Sequence, residues 1–446
     1  MSERTTTADL APVPADWTRL RRGPLAALRG LLDRPLASYY LLLSSAGLLL
    51  VIGLVMVFSA TSVQSYAADG NAYSSVSRQA LFALLGLGAF WFFQRLPART
   101  YRALGTPLLL LAVTLLIVLD LVGLLPGARL GPVHGNTSNN LWLYLGPIEL
   151  QPSELAKLAL ALWGANVLAA KGRSIGWWKE LSTPLFPVAV LVFLLVGYND
   201  FGTMVCLVIL FGGLLWAAGV RLRVFAGLGV LALVGFALLI TLPGFWYRME
   251  RLTAYADSAH CDRQQACYQG LHGLYAIADG GWFGVGLGEG RLKWGWLPNG
   301  HNDFIFAVLA EELGVVGCFV VLALLCVFAY TGLRIARRVD DPFRRLVAAG
   351  ITIWLVGQAT INIGGVVGLL PITGLPLPFI SDGGSALIVT LAAVGLLASF
   401  ARAEPDAARA LHARPPDRWV RLLWAPLPPL PRDRRAAKKR SPERRR

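Results

Sequence analysis

Charge is scarce in this chain. Only 15% of its residues are Asp, Glu, Lys or Arg, 55% are hydrophobic, and mean hydropathy is +0.57. Ordinary soluble domains carry about a quarter of their residues as charged side chains. The shortage excludes a soluble globular protein of 446 residues and leaves a polytopic membrane protein. Acids are the scarcer sign, 26 against 41 Lys and Arg, for a net charge of +15. Such a surplus points to nucleic acid only if it gathers on one folded face. Here it collects at the two ends and in short loops, so no nucleic-acid partner is expected. Cysteine is also sparse, and none of the five has metal-ligand spacing. Cys206, Cys318 and Cys326 lie inside apolar runs and read as small core residues. The polar start of the chain lacks a short apolar core followed by small cleavage-site residues, so no cleaved signal peptide is expected.

What is present is a series of long apolar runs. Ten are long enough to span a bilayer, near 39–60, 80–96, 106–126, 153–170, 184–198, 202–220, 224–243, 304–332, 346–370 and 381–402. Arg95, Arg99 and Arg102 follow the second, and Lys171, Arg173 and Lys179 the fourth. Arg221 and Arg223 follow the sixth, and Arg334, Arg337, Arg338, Arg344 and Arg345 the eighth. Every second loop is therefore basic, which predicts that both termini are cytoplasmic. The expected architecture is an all-α bundle of ten transmembrane helices over residues 38–402, with a large extracytoplasmic loop at 244–303. Residues 1–37 read as a disordered basic cytoplasmic tail in contact with membrane lipid. Residues 403–446, rich in Pro and Arg, read as a second disordered tail.

The residues with chemical potential fall on the non-basic side. Asp303 follows the turn-forming Pro298-Asn299-Gly300 and sits at the mouth of the eighth run. Catalysis and helix N-capping are equal readings of such a carboxylate. Arg248, Arg251, Arg291 and Lys293 are cations on the side where charge bias disfavours them, which suggests an anionic ligand such as a pyrophosphate. Snorkelling to lipid phosphate is the alternative, the weaker one for Arg251 and Lys293. Ser153 opens a helix in which Glu154 and Lys157 share a face, simplest as an ion pair, and Asp200 reads as a cap. Glu311 and Glu312 lie inside the eighth run, in structural roles facing the bundle interior.

The glycine-rich run 280–290 follows no strand, so re-entrant or closely packed backbone is a better reading than a phosphate loop. Cys261 and Cys267 are close enough in an outer loop for a disulfide, though two thiols remain an open alternative. Residues 368–386, GLLPITGLPLPFISDGGSA, cannot form a regular helix and must line a cavity or be covered by protein, which offers Ser381 and Ser385 to a sugar or phosphate.

Four of these segments, QPSELAKLAL, NDFGT, KWGWLPNGHNDFIFAVLAEELG and GLLPITGLPLPFISDGGSAL, occur in an order that resembles the SEDS family over about 40–402. The version around Asp303 is more similar to the division branch than to the elongation branch. The resemblance implies a peptidoglycan glycosyltransferase that polymerises lipid II at the outer face of the bacterial cytoplasmic membrane, at the division septum. It implies a class B penicillin-binding protein and other division-complex membrane proteins as partners. Asp303 matches the family's essential aspartate, and Glu154, Lys157 and Asp200 fall in its QPSE-x-AK and DFGT motifs. No cofactor is expected; a divalent cation bound by Asp303 and pyrophosphate is the open alternative. A lipid II flippase and an elongation polymerase are the rival functions. The chain departs from the family pattern at Asp382 and Ala386 in its SYGGSS-like motif, at Asn199, and at Leu141.

Overall fold

The computed structural model describes residues 30, 32–124, 133–135, 141–145, 148–172, 183–230 and 268–430. Their helices are α1 (Ala37–Asp69), α2 (Ser74–Arg95), α3 (Ala98–Leu124), α4 (Pro152–Lys171), α5 (Leu185–Asn199) and α6 (Phe201–Ala218). After these come α7 (Tyr268–Gly280), α8 (Ile305–Arg338), α9 (Pro342–Val366), α10 (Gly384–Arg402), α11 (Pro405–Ala413) and α12 (Arg418–Leu423). Seven are long and apolar enough to cross a membrane, and α5 is a shorter apolar helix. Nine of the ten expected runs coincide with helices; the one at 224–243 is helical to 230 and then leaves the described residues.

Local sequence sets the helix ends. Leu96 is extended because Pro97 follows it, which ends α2 before α3 begins. Pro152 and Pro342 occupy the first turns of α4 and α9, where no backbone N–H is needed. Gly70 and Gly219 close α1 and α6 in the left-handed conformation. The expected run to 370 is too long, since α9 stops at Val366 ahead of Gly368 and Pro371.

The bundle packs α10 on α2, α8 on α1, and α9 on both α4 and α6. Lipid tails are as apolar as leucine, so close van der Waals packing holds these helices together. Gly53 is one such approach: a Cβ there would run into the backbone carbonyl of Phe379. α1 is thereby pressed against the irregular chain between α9 and α10.

Two expectations need correction. The chain is not purely α-helical: β1 (Val133–Gly135), β2 (Leu143–Leu145) and β3 (Ile148–Leu150) form a small antiparallel sheet in the order β1-β2-β3. Leu143 pairs with Leu150, which brings the chain to the start of α4. Nor are residues 403–430 of the expected tail disordered. Trp91 Nε1 donates to the Leu423 carbonyl (2.6 Å), Arg95 to the same oxygen (3.0 Å), and Trp424 Nε1 to the Tyr39 hydroxyl (2.6 Å). These bonds tie residues 418–425 to the arginine-bearing ends of α1 and α2. Residues 1–29 and 431–446 of the two expected tails lie outside the described residues.

Candidate active site at the mouth of α8

The segment before α8 is a tight turn built on Asn299, whose φ is +55°. Its carbonyl accepts from the Asn302 and Phe304 amides (3.0 and 3.3 Å). The carbonyls of residues 301–303 are each held by a different donor. The Asp382 amide donates to His301 O (3.0 Å), the Ser381 hydroxyl to Asn302 O (2.7 Å), and the Asn362 side chain to Asp303 O (2.7 Å). Asn362 also reaches Leu375 O at 2.7 Å, and Ser381 Oγ accepts from the Leu377 amide at 2.7 Å. Residues 301–303 are thus fixed from α9 and from the chain preceding α10. Such supporting bonds hold a reacting group in register.

The Asp303 side chain does not take up the N-cap role. The N-cap of α8 is Phe304, and no side chain caps that helix. Asp303 Oδ1 is buried without a hydrogen-bond partner among the described residues. A Cβ added at Gly374, whose φ is +72°, would lie 3.6 Å from Oδ2, so bare backbone faces the carboxylate. Burial, reinforced by the Asp200 carboxylate, pushes the Asp303 carboxyl up to about 6. A buried acceptor with no donor calls for an explanation, and a carboxylate whose pKa is raised by burial and a neighbouring charge is a candidate functional group. Asp200, by contrast, caps α6, accepting from the Thr203 amide (2.9 Å) and hydroxyl (2.6 Å).

His301 and Asp382 interact with each other, with Arg78 near both and Glu149 near Asp382. Burial lowers the His301 pKa, against the opposing pull of Asp382. Burial raises that of Asp382, against His301 and Arg78. Arg78 is exposed near the start of α2, a lone arginine just ahead of the second apolar run that gave no sequence signal.

The other anticipated groups are engaged by protein. Glu154 and Lys157 are 1% and 0% exposed. Lys157 Nζ reaches Glu154 at 2.7 Å and Gln358 Oε1 at 2.8 Å, and Gln358 Nε2 holds Pro376 O at 2.8 Å. The buried pair therefore braces the chain beside Asp303 through Gln358, a residue without sequence signal. Ser385 Oγ accepts from the Gln151 amide (3.2 Å), joining α10 to the start of α4. Arg248, Arg251, Cys261 and Cys267 lie outside the described residues.

Lys293 turns inward to Gly288 O and to Glu312, 3.7 Å away. The Ser59 hydroxyl donates to Glu312 (2.7 Å), and the Arg291 amide to Glu311 (2.6 Å). This arrangement depends on a break in α8 at Gly314, where φ is +67°. The break leaves carbonyls and amides unpaired on both sides. Val285 and Gly286 donate to Glu311 O and Glu312 O (2.9 and 3.1 Å), while Val315 and Val316 donate to Gly281 O and Trp282 O (3.0 and 3.2 Å). The glycine-rich run is therefore closely packed backbone that stitches a broken helix, which satisfies polar groups at membrane depth. Among the described residues, no three or more His, Cys, Asp or Glu are grouped to hold a metal ion.

Comparison with known proteins adds independent information. A family model described as "Cell cycle protein", covering FtsW, RodA and SpoVE, matches residues 39–405. The chain is 42% identical over 398 residues to the probable peptidoglycan glycosyltransferase FtsW of Mycobacterium tuberculosis, covering 89% of this chain and 74% of the relative. It is 36% identical over 357 residues to the stage V sporulation protein E of Bacillus subtilis, covering 80% and 94%. Among solved structures it resembles a chain of a peptidoglycan synthase complex that coordinates polymerization and crosslinking. That match has a TM-score of 0.64 and 28% identity, covering 81% of this chain and 97% of the other. The RodA of Thermus thermophilus gives a TM-score of 0.56 at 26% identity, covering 81% and 96%.

Proposed function

Since the chain belongs to the FtsW, RodA and SpoVE family of cell cycle proteins, we propose that it is a peptidoglycan glycosyltransferase polymerising lipid II, with Asp303 as its base. The observation that carries this reading is the Asp303 carboxylate, whose Oδ1 is buried with no hydrogen-bond partner among the described residues, in a turn held by three separate donors. The alternating basic loops support cytoplasmic termini, a ten-span topology and an outward-facing Asp303. Septal action with a class B penicillin-binding protein is supported by the similarity to FtsW and to the synthase complex. An elongation role is the alternative.

The acceptor sugar hydroxyl attacks the anomeric carbon of the lipid-linked donor while Asp303 takes its proton. A new glycosidic bond forms as the bond to undecaprenyl pyrophosphate breaks. A carboxyl near 6 is ionised at neutral pH yet a better base than an ordinary aspartate. Lys293 is paired with Glu312, so stabilising the departing pyrophosphate falls to Arg248, Arg251 and exposed Arg78; a divalent cation, were one bound, would be held by Asp303 and would supply further positive charge. Glu154, Lys157, Ser381 and Ser385 position the surrounding chain, and Asp200 tunes the carboxylate.

The flippase reading requires a polar path through the bundle. The Glu311–Glu312–Lys293 and Glu154–Lys157–Gln358 groups are its candidates; Lys157 is bonded to both Glu154 and Gln358, and Lys293 is paired with Glu312. The test is purified chain and cognate transpeptidase in detergent with labelled lipid II, where no membrane has to be crossed. Glycan strands support the polymerase. No strands, with translocation of lipid II in vesicles, would overturn it in favour of the flippase.

A further inference from the structure

At the arginine-bearing end of the bundle, Tyr330, Leu333, Arg334, Arg337 and Arg338 line a cavity of about 260 Å³. Arg334 is only 8% exposed. One terminal nitrogen donates to the Leu32 carbonyl, while its Nε is buried without a hydrogen-bond partner among the described residues. Arg338 lies 3.8 Å from the Glu404 carboxylate, which also faces Arg334. Three guanidinium groups against one carboxylate leave a surplus of two positive charges at the cavity.

Depth suggests the counterion. Past its break at Gly314, α8 runs for the 24 residues from 315 to 338, about 36 Å of helix against a hydrocarbon core of about 30 Å. Its arginine-bearing end therefore reaches headgroup level, with half-exposed Tyr330 suited to the interface. A buried guanidinium with a free N–H beside a basic cavity fits an oxyanion with forked acceptors. The abundant oxyanion at that depth is a lipid phosphodiester, and basic pockets between spans bind such headgroups.

We infer that this cavity binds the phosphodiester headgroup of an anionic phospholipid, with Arg334 and Arg338 as its inner donors and Arg337 at its rim. The site is separate from the Asp303 end and anchors the end of α8 to its leaflet.

Native mass spectrometry of the full chain, titrated with phosphatidylglycerol, phosphatidylcholine or inorganic phosphate, tests this. Phosphatidylglycerol should bind the wild type in preference to phosphatidylcholine. The Arg337→Gln/Arg338→Gln double variant should lose about 25-fold in affinity, and Arg337→Gln alone about 5-fold, at roughly 5-fold for each cation removed. Arg99→Gln/Arg345→Gln, the same charge change at exposed positions outside the cavity, should leave binding within about 2-fold. The single exposed Arg337→Gln change keeps the test valid if the double variant fails to fold. Unchanged affinity in the cavity variants, or an equal loss in the control pair, would overturn the site. Equal binding of phosphatidylcholine, or displacement by inorganic phosphate at equal concentration, would overturn its assignment to an anionic lipid.

Discussion

The elevated Asp303 carboxyl makes the pH dependence of polymerisation a sharp test. A rise from the ordinary 3.8 to about 6 corresponds to about 3 kcal/mol in favour of the neutral acid. Two effects of opposite sign follow. Between 3.8 and about 6 the folded protein keeps a proton that the unfolded chain has lost, so this group's contribution to stability falls as pH rises through that window. The base works only when ionised, so activity rises over the same window. About a tenth of Asp303 is ionised at pH 5 and about nine tenths at pH 7, which predicts a roughly tenfold increase in kcat/KM. The assay is the initial rate of strand formation from labelled lipid II, with the transpeptidase partner present, across that range. Asp200→Asn keeps a capping side chain on α6 but removes the neighbouring negative charge, so the acid limb should move to lower pH. A flat profile down to about pH 5 would refute the buried-base argument. A limb near 6 that Asp200→Asn leaves in place would refute the electrostatic part alone.

Three further outcomes follow from the supporting structure. Lys157→Met strands a carboxylate that is 1% exposed and removes a donor from Gln358, and should cost about 3–5 kcal/mol, read as a fall in melting temperature of the purified protein. Ser381→Ala leaves the Leu377 amide and the Asn302 carbonyl without their shared hydroxyl. Released positioning of this kind should lower kcat by about tenfold or more with KM little changed. Gly284→Ala places a Cβ at φ +79° against the Glu312 carbonyl. It should destabilise by at least about 2 kcal/mol and raise hydrogen exchange at Val315 and Val316.

The spans were legible because long apolar runs dominate the chain, and most helix ends coincide with Pro or Gly. Asp303 stood out because a carboxylate at the boundary between turn residues and an apolar run has few roles. Setting the cap aside required the structure: Phe304 is the N-cap of the helix, and Asp303 Oδ1 has no partner among the described residues. The Lys157–Gln358 bridge joins residues 201 positions apart, and nothing local announces it. Lys293 meets Glu312 only because Gly314 breaks α8 and the glycine-rich run fills the gap. Strands of three residues are too short to show alternation, so the sheet at 133–150 left no trace. The docked segment near Trp424 was hidden by the surrounding Pro- and Arg-rich composition.

The most direct test of the central claim is strand synthesis by Asp303→Asn beside the wild type, with both proteins shown to melt alike. The substitution is nearly isosteric and removes only the ability to take a proton. Glycan strands are expected from the wild type and none from the variant, with lipid II binding retained. Strand synthesis at an undiminished rate in Asp303→Asn would rule out Asp303 as the base.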